Sequence, residues 1–347
     1  MVDTEATPTG AGRRATIVDV AKHAGVSTAS ASKVLRKSAG VSSEMRERVH
    51  ASMAALSYRP HRLARGMRGR TFTIGVMLSD IENPFFSLLV QGIGDVLADE
   101  DYDMLIAPGS FGAASQGSVI DSLIDQQMDG LILVGPRSPR AHLEEVGAQI
   151  PTVAIGSHGP SERYDTVSGD DERGASLVVE HLVALGHERI GFFANERPSG
   201  LDDIPEAVRE VGFRTAMDRR GLSTAGLVFP GHWTVAGGRS VVPTLLSSTA
   251  SPTAVFAGAD VAAIGMLSEL WDRGVEVPGR LSVVGYDNSP SGALAPIGLT
   301  SVDQDGQAMG ARAARLLLER MDGRTAPRNE MRDPALLPRR TSAAPGS

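Results

Sequence analysis

The sequence contains no cysteine, which excludes disulfides and thiolate metal sites. No window approaches the roughly 20 apolar residues that a membrane-spanning helix needs. The opening stretch, MVDTEATPTGAGRR, has no apolar run of the signal-peptide kind. The chain is therefore expected in the cytoplasm, with no membrane partner. Catalytic signatures are missing too. There is no phosphate-cradling GxxxxGKS/T, no GxSxG and no HExxH. His142, His158, His181, His187 and His232 show no metal-ligand spacing, so surface or capping roles are expected for them. GAGRRA (Gly10 to Ala15) imitates a dinucleotide loop, but no strand precedes it. No metal, cofactor or catalysis is expected.

Charge is scarce in one sign in each part of the chain. Residues 1–70 hold 13 Lys+Arg against 5 Asp+Glu, whereas the remainder holds 21 against 36, for a net −7. A basic head on an acidic body confines the attraction for polyanions to the head. That head contains one aromatic residue, Tyr58. Single-stranded nucleic acid needs several stacking platforms, so duplex DNA is the indicated partner.

The stretch TIVDVAKHAGVSTASASKVLR, Thr16 to Arg36, reads as two short helices around a tight turn. Thr16 and Asp19 have capping-box spacing. Ile17, Val20, Ala21 and Ala24 recur at helical period. Gly25 supplies a left-handed helix end, and Ser27 caps the next helix. In that helix Ala31, Val34 and Leu35 face inward. Thr28, Ala29, Ser30, Ser32 and Lys33 face out, small enough to approach phosphates and base edges. Ser30-Ala31-Ser32-Lys33 spells SxxK, but on an exposed helix far from any pocket. A third helix is predicted from about Glu44 to Leu56. Residues 1–14 are expected to be a disordered tail. YRPHRLARGMRGR, residues 58–70, carries five arginines and no acid. It reads as a basic linker or as a short helix that orders on DNA, with Leu63 and Met67 on one face.

From Thr71 short apolar runs alternate with helical patterns: FTIGVML, YDMLIA, DGLILV and PTVAI, then RIGFFA, LVF, PTAVFAG, LSVVGY and LTSV. This alternation predicts repeated βαβ units and two α/β lobes. Ligands in such folds bind at strand carboxyl ends and between lobes.

TIVDVAKHAGVS, VSSEMRERV, LSYRPHRLARGMR, IENPFF, LGHERIGF, REVGF, SVVGYD and LTSVDQD occur in the order and spacing of the lactose/galactose-repressor (LacI/GalR) family, which the chain resembles from about Ala15 to Thr341. The resemblance implies an all-α helix-turn-helix head (15–57), a hinge helix (58–70) and an α/β body (71–341). The body would have two Rossmann-like lobes of periplasmic-binding-protein type, with about 71–169 and 302–330 in one and 170–301 in the other. Three chain crossings would join the lobes, and 342–347 would be a tail. It implies base-edge reading by Thr28, Ala29 and Lys33. Thr16, Ser27, Ser30, Ser32, His61, Arg62 and Ala64 would serve phosphates or register, and Met67 would be the minor-groove wedge. It implies an effector cleft drawing on Ile81, Asn83, Phe85, Phe86, Arg209, Trp233, Asp287 and Gln304. There a bidentate arginine, a carboxylate and an aromatic face would hold a sugar. Arg209 and Asp287 also fit a structural ion pair, and Phe85 and Phe86 fit core positions. Ala259 stands where members commonly place a ligand-touching asparagine, and the loop 196–208 looks unusual.

Taken together, the expectation is a homodimeric, effector-controlled repressor of double-stranded operator DNA. A purine- or nucleoside-responsive co-repressor system remains open, as does a ligand-independent architectural regulator.

Overall fold

The computed structural model describes residues 15–35, 41–58, 70–109, 113–197 and 199–346. They form two units that divide after Phe72.

The first unit holds three helices, α1 (Ile17–Ala24), α2 (Thr28–Leu35) and α3 (Ser43–Ala55). Thr16 and Asp19 form the reciprocal capping box, with Thr16 N donating to Asp19 Oδ2 at 2.8 Å. Gly25 ends α1 at φ +64°, in the left-handed region where a side chain is strained. Ser27 Oγ accepts from Ser30 N and starts α2. Arg48 of α3 then locks the turn by donating to the carbonyls of Ala24 (2.6 Å) and Gly25 (3.1 Å). Val20, Ala24, Val34 and Val49 make the core together with Tyr58. The sequence pattern puts Tyr58 in the hinge; its ring is buried here, so the three-helix unit runs through residue 58 and the head's one aromatic is not a stacking platform. The predicted tail over 1–14, and residues 59–69 of the predicted hinge helix, lie outside the described residues.

The second unit contains two sheets. The first has the order β11-β5-β4-β3-β1-β2 and is parallel throughout. Its strands are β1 (Thr73–Leu78), β2 (Asp103–Pro108), β3 (Gly130–Val134), β4 (Thr152–Ile155), β5 (Asp165–Gly169) and β11 (Asn329–Arg332). Helices α4 (Phe85–Asp99) and α12 (Gly306–Met321) supply the core of one face, and α5 (Ala113–Asp125) and α6 (Arg140–Gln149) that of the other. The second sheet has the order β12-β10-β9-β8-β6-β7. It comprises β6 (Ile190–Asn195), β7 (Val228–Gly231), β8 (Ala254–Phe256), β9 (Ser282–Tyr286), β10 (Thr300–Asp303) and the antiparallel β12 (Ala335–Leu337). Helices α7 (Asp171–Ala184) and α8 (Pro205–Arg219) pack on one face, α9 (Val235–Ser247) and α10 (Asp260–Asp272) on the other, and α11 (Pro290–Ala293) is a single turn. Both sheets are covered on both sides, which is why their inner strands read as unbroken apolar runs rather than alternating ones.

The lobe boundaries differ from the sequence reading in two places. The expected return crossing is at 302, but Thr300–Asp303 pairs with β9 and β12 inside the second sheet, so the chain crosses only after Asp303. The first lobe then extends to Arg332, where β11 pairs with β5. Residues 342 onward are not a tail at their start. Ser342 Oγ bonds His181 Nε2 (2.9 Å) and Thr300 Oγ1 (2.8 Å), and Ala343 O takes His187 Nε2 at 2.8 Å. His187 is accordingly buried, not a surface residue.

Candidate functional site

In the head, Thr28, Ala29 and Lys33 are exposed on the outer face of α2, and Ser27 is exposed at its start, while Ser30 and Ser32 are half-buried. The Ser27 and Ser30 hydroxyls lie 2.9 Å apart. Thr16 Oγ1 is 2.7 Å from Asp19 Oδ2, inside the capping box. His61, Arg62, Ala64 and Met67 lie outside the described residues.

In the body, carboxyl ends of strands from both sheets line one cavity of about 800 Å³, its mouth included. Open α/β sheets place ligand crevices at this edge. Asn83, Phe85, Phe86, Arg209, Trp233, Asp287 and Gln304 all reach it, and Ala259 lines it as well. Ile81 does not. The turn bonds Glu82 N to Asp80 Oδ1 (2.7 Å) and Phe85 N to Asn83 Oδ1 (3.0 Å), and Ile81 is left 67% exposed. Phe85 is also a core residue, its ring centroid 6.0 Å from that of Phe86.

Arg209 is organised differently from expectation. Its Nε donates to Asp171 Oδ1 at 2.6 Å and its Nη1 to the Gly258 carbonyl at 2.8 Å. Its Nη1 stands 4.0 Å from Asp287 Oδ1, and its Cζ lies 3.8 Å over the Tyr286 ring and 5.3 Å over Trp233. The Nε edge is thus committed to Asp171, and the Nη1–Nη2 edge is the one that can bond a ligand. The partner expected for a structural ion pair is Asp287; the close one is Asp171. Burial alone would raise the Asp171 pKa, but the Arg209 guanidinium and His158 hold it below the ordinary value. His158 Nε2 is 2.7 Å from Asp171 Oδ2 and joins the two lobes, a role the sequence reading does not give it.

Five more polar residues at the cavity escape the sequence reading, Ser79 and Asp80 just after β1 among them. Arg137 follows β3 and bonds Glu206, at the start of α8, across the cleft. Asn195, the last residue of β6, donates to Glu206 Oε1 (3.1 Å) and accepts from Trp233 N (3.0 Å). Trp233 Nε1 is satisfied by Phe193 O at 2.9 Å. Arg137, Asp171 and Asn195 all sit within three residues of a strand's carboxyl end, a signal that the sequence does carry. Glu206 lies in the loop flagged as unusual.

Asp287 faces the cavity from the end of β9. Gln304 Nε2 donates to its Oδ1 at 2.7 Å, while its Oδ2 is buried with no hydrogen-bond partner among the described residues. Burial pushes its pKa up to about 8, although Arg209 pulls the other way; Asp260, behind it, adds a like charge. A carboxyl raised above its unfolded value contributes stability that is complete below the unfolded pKa and lost as pH rises through the folded one. Asp287→Asn is therefore expected to raise the midpoint of thermal unfolding at pH 8 by about 3 °C or more, with the gain shrinking toward pH 4. Melting curves across that range check it; a gain that grows as pH falls contradicts the assignment.

A family model described as bacterial regulatory proteins, lacI family, matches residues 16–61, and one described as a periplasmic binding protein-like domain matches residues 179–342. The chain is 31% identical over 315 residues to catabolite control protein A of Priestia megaterium, covering 89% of this chain and 93% of that protein. Among solved structures it is similar to the lac repressor dimer bound to operator and the anti-inducer ONPF, with TM-score 0.79, 26% identity, and coverage of 96% of this chain and 100% of that one. It is also similar to a complex of the transcriptional regulator CelR with cellobiose, with TM-score 0.70, 29% identity, and coverage of 95% and 100%.

Proposed function

The chain belongs to the lacI family of bacterial regulatory proteins, a family of transcriptional regulators rather than enzymes, and from that premise we propose that it is a cytoplasmic repressor whose operator affinity is set by a small molecule held between the two lobes. The observation that carries the effector reading is the buried, unpartnered Asp287 Oδ2 in a cavity walled by both lobes. Polar groups buried without partners are costly in a finished core and are what a binding site keeps in reserve. A sugar hydroxyl both donates and accepts, so it can pair with that oxygen whether or not the carboxyl carries its proton, and the sugar's apolar ring face suits Trp233 and Phe86. The commitment of Arg209 Nε to Asp171 and the missing side-chain amide at Ala259 favour a second candidate, a nucleoside with fewer hydroxyls to satisfy. The solved relatives include a lac repressor dimer on its operator and a sugar complex, which supports carrying both properties over.

DNA reading is proposed for Thr28, Ala29 and Lys33 at base edges, with Ser27, Ser30, Ser32 and Thr16 serving register. Arg62, His61, Ala64 and the wedge Met67 would act in the hinge segment. Thr28 and Ala29 suit thymine methyl groups, and Lys33 donates to guanine without the arginine fork. A homodimer presents two such heads, because one small head supplies too little specificity. Selecting bound duplexes from a random pool is the decisive experiment. A palindrome with a pyrimidine–purine step at its centre supports the dimer and the hinge wedge; an unenriched pool, with and without sugars and nucleosides, counts against sequence-specific repression. On the selected site Lys33→Ala is expected to weaken binding about 10- to 100-fold, with non-specific DNA affected far less. Equal losses on both, read by gel shift, place Lys33 on phosphate instead.

A further inference from the structure

We propose that the cleft selects its ligand by charge: it takes a neutral or cationic molecule that donates hydrogen bonds to Asp287, and it excludes phosphate esters and carboxylates. This rests on reading the cavity as the effector site.

Among the described residues, four carboxyl groups line the cavity, Asp80, Asp171, Glu206 and Asp287, against two guanidinium groups, Arg137 and Arg209. Both cations already have partners, since Arg209 is bonded to Asp171 and Arg137 to Glu206. Guanidinium groups are what would receive a phosphate or carboxylate, and here each is held by a carboxylate of the chain. Helix N-termini are the other usual hosts for anions. Three of those at the cleft carry the chain's own acids in their first turns: Asp171 in α7, Glu206 in α8 and Asp260 in α10. The start of α4 is capped by Asn83 Oδ1. At these three helix starts the place of an anion is thus taken by a built-in one. The acceptor left over is Asp287 Oδ2, on a residue that lines the cavity and is only 2% exposed. An anion that entered would meet no guanidinium free of a carboxylate partner, and its lost hydration would go uncompensated.

The test is binding by full-length wild-type protein, with calorimetry and thermal shift as readouts. The probes are three matched series: glucose, glucosamine, glucuronate and glucose 6-phosphate; the corresponding galactose compounds; and ribose and adenosine with their 5-phosphates. In any series whose neutral parent binds, the phosphate and the uronate are expected to bind at least about 100-fold more weakly. The amino sugar is expected to bind at least as well as its parent within a factor of three. Going from pH 7 to pH 9 ionises Asp287, whose pKa is pushed up to about 8. The penalty against the uronate is therefore expected to grow at least about threefold in the wild type and to stay level in Asp287→Asn, which keeps or raises its melting midpoint. A structural defect would weaken every member alike. An anionic member that binds as tightly as its parent overturns the charge selection and leaves the effector site standing. A panel in which no member binds, with or without the selected operator, overturns the effector reading and this inference with it.

Discussion

Arg209→Met is expected to destabilise the body by about 3–5 kcal/mol, the usual cost of removing one partner from a buried ion pair. The side chains of Arg209 and Asp171 are 6% and 1% exposed. Methionine fills much of the arginine's volume over Tyr286 and Trp233, so the loss comes from charge rather than from a cavity. Asp171 would keep His158 but lose the cation that holds its pKa down. The acid's contribution is present above its unfolded pKa and is lost as pH falls through the lower folded value. The gap between wild type and variant should therefore be full at neutral pH and close below about pH 4. Urea unfolding at pH 7 and pH 3.5 reads both numbers. The double variant Arg209→Met/Asp171→Asn should recover more than half of the loss, because an amide is far cheaper to bury than a lone carboxylate. A loss under about 1 kcal/mol at pH 7 would mean that Asp171 is hydrated or protonated and that the pair does not organise the cleft.

Much of this arrangement is legible in the sequence. The alternation of apolar runs and helical periods locates the strands and helices of both lobes, because periodicity is a local property of the chain. Gly25, Ser27 and the Thr16–Asp19 box locate the head's turns for the same reason. Of the cleft residues expected from the resemblance, only Ile81 falls outside, turned out by two side-chain bonds within its own loop. Partners are not legible. Arg137 and Glu206 stand 69 positions apart in the chain, and which strand ends face each other depends on where the chain crosses between lobes. A pattern that assigns a residue to one face of one element carries no information about the residue opposite. Arg209 is found in the sequence and its partner is missed on that account. Tyr58 is misplaced because an aromatic beside five arginines looks like linker until the small core it completes is seen.

The helix pair α4 and α12 gives an expectation of opposite signs two residues apart. A Cβ at Gly92 would lie 1.9 Å from the Gln307 carbonyl oxygen, and one at Gly310 would lie 2.1 Å from that of Leu89. Both obstacles are backbone, which cannot rotate aside, so Gly92→Ala must push the helices apart. Overpacking costs about 1–3 kcal/mol and at times more; a backbone collision of this depth sits at the upper end, partly offset by alanine's roughly 1 kcal/mol advantage within a helix. At Gly94, on the same helix, a Cβ would meet only the Met104 methyl among the described residues, at 3.7 Å. Gly94→Ala keeps the propensity gain without the collision and is expected to stabilise by about 0.5–1 kcal/mol. The consequence of Gly92→Ala reaches the cleft as well. α12 begins at Gly306, whose position is pressed against the Phe85 ring, two residues after Gln304, which donates to Asp287. Displacing α12 shifts that donor, so the variant should lose effector affinity together with stability, whereas Gly94→Ala should change stability alone. Thermal melts with and without a bound effector separate the two. Shifts of the same sign in both variants would mean that the helices do not approach through their glycines, and that the geometry of Gln304 is set by something other than this seam.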